Sequence, residues 1–318
     1  MTASSADPGA PRSLFVDFID PNEEHPNVAE AIYRASNHGV YLSVGTERSF
    51  MGAAYTRAAM LYVVDVVPEL VRFARINAAL LEISTSLADY VSLRQEDPAE
   101  AWSRRVTGAD ADVRQQLGDP ANWAWWEQIV RRSHLGFKDV AVEPRAIKDP
   151  FYGFDYLFDE DLYAHLHRLA VAGRICASVV DLGKAEQTET VLQAIAATGM
   201  PLGIVDGSNV SDSVWLGGKG TARYILQMRP YAVPDTLFLN TTDYPQASCN
   251  WSYFAFTSAY LDAYPTMDSL GDLVDRTRQA LQVPDLRAVL DEVDLPVPYR
   301  DLPAGHKTRP RRLQADGA

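Results

Sequence analysis

The stretch from Gly39 to Asn77, GVYLSVGTERSFMGAAYTRAAMLYVVDVVPELVRFARIN, decides the fold. Residues 39 to 45 form a continuous apolar run with β-branched members, the pattern of a strand covered on both faces. A turn with one glycine follows, then FMGAAYTRAAM, a helix whose small residues let it lie close against a sheet. LYVVDV (61 to 66) is a second buried strand. PELVRFARINAALLEIS opens with Pro68 and Glu69, the favoured chemistry for a first helical turn. Leu70, Phe73, Ala74 and Leu81 fall on one face of that helix. This order is the opening unit of a nucleotide-binding α/β sheet.

The same rhythm returns after a long interval. RICASVVDLG (174 to 183) reads as a strand, KAEQTETVLQAIAATG as a helix, and MPLGIVDGSNVSD (200 to 212) as a strand running into a polar turn. A helix around GGKGTARYILQM follows, then strand DTLFLNTTD (235 to 243) and a last antiparallel pair that includes NWSYFAFTS. Residues 84 to 173 lose the strand signal and become helical and aromatic, with Trp102, Trp123, Trp125 and Trp126, so they read as a helical cap. The expected organisation is a tail and lead-in helix over 1–38, an α/β core over 39–83 and 174–300, the cap over 84–173, and a basic tail over 301–318. The acids of the lead-in and Tyr33 could reach over the site.

A chain of 318 residues with 47% hydrophobic and 22% charged residues is long enough and apolar enough to bury a core. The net charge of −13 argues against nucleic acid, whose phosphates require a basic footprint. The first dozen residues lack the apolar region of a signal peptide, and no apolar run approaches the length of a membrane span. Cys176 and Cys249 are too few for a disulfide framework or a cysteine metal site, and no other ligand cluster for a metal is visible. A cytoplasmic protein with a small-molecule ligand, no nucleic-acid or membrane partner, and a homodimer as the assembly to test for, is the expectation.

Ligands of open α/β sheets bind beyond the carboxyl ends of the strands, where the strand order reverses. After the first strand stand Ser43, Val44, Gly45, Thr46 and Glu47, where the G-x-G-x-x-G cradle that holds a pyrophosphate fails after its first glycine. A nucleoside without phosphate fits this turn better. Asp65 ends the second strand, about twenty residues past the glycine, where a carboxylate can accept both ribose hydroxyls; the competing role is capping the helix at Pro68. Asp181 follows the third strand, placed to receive an adenine amino group. Asp206, Gly207, Ser208 and Asn209 follow the fourth, either as a plain turn or as a polar cluster at the reacting end of a ligand.

Glycine turn, acidic end of strand two, aspartate after strand three and polar loop after strand four together resemble the class I S-adenosylmethionine-dependent methyltransferase superfamily, over residues 39 to 83 and 174 to 262. The resemblance implies a Rossmann-like sheet with helices on both faces. It implies that S-adenosylmethionine is bound with Gly45 and Thr46 at its methionine part, Asp65 at the ribose and Asp181 at the adenine, while Ser208 and Asn209 face the sulfonium. The sequence is also reminiscent of the azetidine-2-carboxylate-forming branch. Two reactions follow from a sulfonium: methyl transfer to an acceptor, or closure of the aminocarboxypropyl chain to a small cyclic amino acid with release of methylthioadenosine. Ring closure is favoured at this point, with methyl transfer as the alternative and a non-catalytic binding protein as a third. His134, His165 and His167 carry no sign of a catalytic base, and Tyr152 and Tyr156 could wall the sulfonium by cation–π attraction.

Overall fold

The structure, a computed structural model, describes residues 33–34, 36–45, 47–131, 156–210, 216–242 and 252–258. Six strands build one sheet: β1 (Val40–Val44), β2 (Met60–Asp65), β3 (Ile175–Val179), β4 (Leu202–Asp206), β5 (Ala232–Thr242) and β6 (Ser252–Thr257). Their spatial order is β3-β2-β1-β4-β5-β6; the first five run parallel and β6 pairs antiparallel with β5. The chain steps outward from β1 to β3, then returns to β4 and steps outward the other way. The reversal falls between β1 and β4, whose ends meet with Ser43 opposite Asp206.

Alternation along the strands sends side chains into two cores. Tyr41, Leu61, Val63 and Ile204 pack on one face with helices α1 (Glu47–Tyr55) and α2 (Pro68–Ile83). Val40, Leu42, Val64 and Val205 pack on the other with α8 (Ala185–Ala196) and α9 (Gly217–Met228). Both faces being covered explains why these strands read as unbroken apolar runs. The small residues of α1 serve close packing as expected: a Cβ at Gly52 would lie 2.1 Å from the Tyr41 hydroxyl. That helix begins three residues earlier than the sequence pattern suggests, so Glu47 and Arg48 form its first turn, both buried.

Between β2 and β3 lie α3 (Leu87–Gln95), α4 (Pro98–Arg105), α5 (Ala111–Leu117), α6 (Pro120–Trp125) continued by a π-helical turn over Trp126–Arg131, and α7 (Glu160–Val171). Their starts are set by side-chain caps, with Ser86, Asp97, Asp110, Asp119 and Asp159 each accepting a backbone N–H. These helices share the first core with the sheet. Trp102, Trp126 and Leu166 belong to the same buried cluster as Leu61 and Val63, and α7 packs directly on α1 and α2. The expected cap is therefore, over its described part, an added layer on one face. It also explains why α2 is buried nearly all round and not on a single stripe, with Val71 and Ile76 covered as well as Leu70 and Phe73. No helix among the described residues is long and apolar enough to cross a membrane.

Candidate functional site

Parallel pairing places four of the singled-out positions in a row along the carboxyl ends of adjacent strands: Asp181, Asp65, Gly45 and the Asp206–Asn209 turn. Val180 N–H donates to the Asp65 carbonyl (2.8 Å), and Gly45 N–H to the Val64 carbonyl (3.4 Å), tying neighbouring ends together. Strands lie about 4.8 Å apart, so the row spans about 15 Å.

Gly45 has φ +114°, a conformation disfavoured for other residues, and a Cβ there would meet nothing within 4 Å. The glycine is required by its backbone and stands before open space. Asp65 is 8% exposed. Its Oδ1 accepts the Val67 N–H at 2.9 Å, so part of the carboxylate does cap the start of α2. No cation pairs with it among the described residues, and burial pushes its pKa up to about 7 against the lowering effect of the Val67 and Val66 N–H groups. Val66, 50% exposed, and Val179, 43% exposed, flank it as two of the exposed large apolar residues.

Asp181 closes a turn: its Oδ1 accepts the Gly183 N–H (2.8 Å), its own N–H donates to Gln187 Oε1 (2.8 Å), and Lys184 Nζ lies 3.8 Å from Oδ2. The Ser43 hydroxyl accepts from Ser49 Oγ (2.8 Å) and donates to the Val44 carbonyl (3.3 Å), so it fastens α1 to β1. Thr46 and Tyr152, like His134, lie outside the described residues.

The turn after β4 is anchored from below. Buried Asp206 accepts from Arg48 Nη2 (2.9 Å), from the Tyr41 hydroxyl (2.5 Å) and from the Ser208 N–H (2.9 Å). Burial first, and then the Asp206 charge, hold the Tyr41 pKa above its ordinary value, so the tyrosine keeps its proton and donates it. Asp206 is thereby consumed as an anchor. What it supports is a left-handed Ser208 (φ 48°) and half-buried Asn209. Gly207 admits no side chain, because a Cβ would lie 2.1 Å from the Tyr224 hydroxyl and 2.6 Å from Asn240 Oδ1.

Tyr156 departs from its expected role. It is fully buried, and its hydroxyl donates to Glu47 and receives bonds from Arg94 Nη1 (3.1 Å) and Asn77 Nδ2 (3.1 Å). Arg94 forms two bonds with Glu47 (2.9 and 3.1 Å) and lies over the rings of Phe73, Tyr90 and Trp126. Enclosed in this network, Tyr156 cannot wall an open sulfonium site. Sequence reading missed Glu47, Arg48, Arg94 and Tyr41; the adjacent opposite charges just ahead of a small-residue helix are the one local hint.

His165 Nε2 donates to the Ala58 carbonyl (3.0 Å) and His167 Nδ1 to the Leu81 carbonyl (2.8 Å), both within the helical layer. Among the described residues no group of three His, Cys, Asp or Glu side chains could hold a metal ion.

A comparison with curated proteins finds no match. A family model described as a domain of unknown function matches residues 18–224, a stretch that holds Gly45, Asp65, Asp181 and the Asp206–Asn209 turn as well as Glu47, Arg48 and Arg94. With most of its length matched, the chain belongs to the family of domains of unknown function DUF7790.

Proposed function

We propose that this protein is an enzyme that binds S-adenosylmethionine along the carboxyl ends of its parallel strands and directs a nucleophile at the sulfonium, with methyl transfer to a small acceptor as the reaction. The observation that carries the reading is Asp65, a buried carboxylate that no cation pairs among the described residues, standing beside the open glycine turn. A pair of ribose hydroxyls would supply the donors that an ionised Asp65 lacks, and exposed Val66 and Val179 offer apolar surface for the adjoining base. Strand order supports the same assignment: five parallel strands in the order 3-2-1-4-5 with an antiparallel strand beyond are compatible with the class I methyltransferase sheet.

The charge at this end also favours the cofactor. Asp65 and Asp181 would offer carboxylate acceptors to the ribose hydroxyls and the adenine amino group of a cationic ligand, while a pyrophosphate would find acids and only one turn glycine along this edge. Asn209, on the turn that Asp206 and Arg48 hold, would orient the reacting end of the ligand. Ring closure, which the resemblance, the missing base and a sealing cap favoured, loses one possible aid, since Tyr156 does not contribute to an aromatic wall around the sulfonium. Proximity and orientation suffice for methyl transfer.

The test is incubation of the purified protein with S-adenosylmethionine, followed by calorimetry for binding and mass spectrometry for products against a boiled control. Binding with an intact cofactor, and methylation once an acceptor is added, is expected. Methylthioadenosine with a cyclic amino acid in the absence of acceptor would replace methyl transfer by ring closure, and no binding would remove the proposal altogether.

A further inference from the structure

A second, unrelated cluster lies at the opposite end of the sheet, where the strands begin. The loop Thr56–Ala59 that feeds β2 is clamped from two sides. His38 Nδ1 donates to the Thr56 carbonyl (2.5 Å), and the Ala59 N–H donates to the His38 carbonyl (2.9 Å). From α7, His165 donates to the Ala58 carbonyl, while Arg57 Nη1 donates to the Asp161 carbonyl (2.9 Å). His38, Arg57 and His165 are thus drawn together, and Arg168 stands one turn along α7 from His165, on the same face.

Two features mark this place as more than a solvated surface. His38 (φ 59°) and Arg57 (φ 52°) both occupy the left-handed region although neither is glycine, which is a local strain that the clamp maintains. Neither arginine of the cluster forms an ion pair among the described residues. Arg168 has no ion-pair or hydrogen-bond partner among the described residues, and Arg57 spends one donor on a main-chain oxygen. Of the acids of α7, Asp161 stands one turn before His165 on the same face, with Arg57 on its carbonyl, and Glu160 lies beside it in the first turn. Burial first, and then the nearby charges of Arg57 and Arg168, depress the His165 pKa to about 4 against the raising effect of its bond to the Ala58 carbonyl.

We propose that His38, Arg57, His165 and Arg168 form a binding site for a dianionic phosphate group, on the far end of the sheet from Asp65. Exposed Arg57 and Arg168 supply charged donors and the clamped loop fixes their spacing, while His165, whose Nε2 is committed to Ala58, takes up a proton on Nδ1 as the anion arrives. The site does not depend on the S-adenosylmethionine reading.

The experiment is a titration of the full chain with inorganic phosphate, and in a second arm with glycerol phosphate, following the histidine ring resonances by NMR at constant ionic strength against sodium chloride. Saturable shifts of His38 and His165, with a rise in the His165 pKa, are expected; the tighter arm tells whether the group is taken free or as a monoester. Arg168→Gln should weaken the affinity about tenfold, and Arg104→Gln, on a remote exposed helix, should leave it unchanged. Shifts that do not saturate, that chloride reproduces, or that ignore Arg168→Gln would overturn the proposal.

Discussion

Substitution of Asp65 by Asn tests the candidate site most sharply, because it removes charge while keeping shape and an acceptor for the Val67 N–H. The native carboxyl has its pKa raised from 3.8 to about 7, first by burial. The folded state therefore holds this proton more tightly than the unfolded chain. Stability owed to Asp65 is complete below about pH 3.8 and is lost as the pH rises through about 7. At about 1.4 kcal/mol per pH unit, the gap corresponds to about 4 kcal/mol as an upper figure. Urea denaturation of wild type and Asp65→Asn at about pH 4 and about pH 8 should show the variant gaining on the wild type at the higher pH, by up to that amount. Ligand binding should run the other way. Ribose hydroxyls favour the ionised carboxylate, so wild-type affinity for S-adenosylmethionine should fall as the pH drops through about 7, and Asp65→Asn should bind weakly with no such dependence. Parallel stability profiles would refute the buried-charge argument, and unchanged affinity in the variant would refute the ribose assignment.

Other outcomes follow from the same geometry. Gly45→Ala should keep the fold at a cost of about 1–3 kcal/mol for a left-handed alanine, yet lose S-adenosylmethionine affinity because its methyl enters the open space before the turn; calorimetry showing full affinity would place the ligand elsewhere. Arg94→Met should destabilise by about 3–5 kcal/mol, since it leaves Glu47 buried and unpaired, and a thermal midpoint equal to wild type would show that Glu47 finds water or another donor. Asn209→Ala should spare binding but slow turnover; equal losses in both would move Asn209 from the reacting end to the binding contacts.

Much of the fold was legible because its signals are local. A β-branched apolar run, a single glycine, a small-residue helix and Pro68 with Glu69 lie within forty residues, and each punctuates the chain in a way that hydrogen bonding and φ preference dictate. Gly45 and Asp65 were singled out as candidates for the same reason. The helical layer was harder, since helical periodicity reports an apolar face without saying what covers it, and the described helices of 84–173 turned out to extend the core beside α2. Tyr156 illustrates the limit within the site: an aromatic with a hydroxyl suits a ligand wall and a buried network equally well, and only its neighbours distinguish the two.

The sequence by itself therefore determined the alternation of strands and helices, the turn that only glycine fits, and the acids that end the strands, all properties of residues close in the chain. Tertiary structure alone decided which charges meet. Arg48 and Asp206 are 158 residues apart and Glu47 and Arg94 are 47 apart, and no local rule joins them. Burial excludes water and makes each charge require an opposite partner, so the sheet order that brings those partners together also settles that Asp206 becomes an anchor paired with Arg48 while Asp65 is left with backbone donors and a raised pKa.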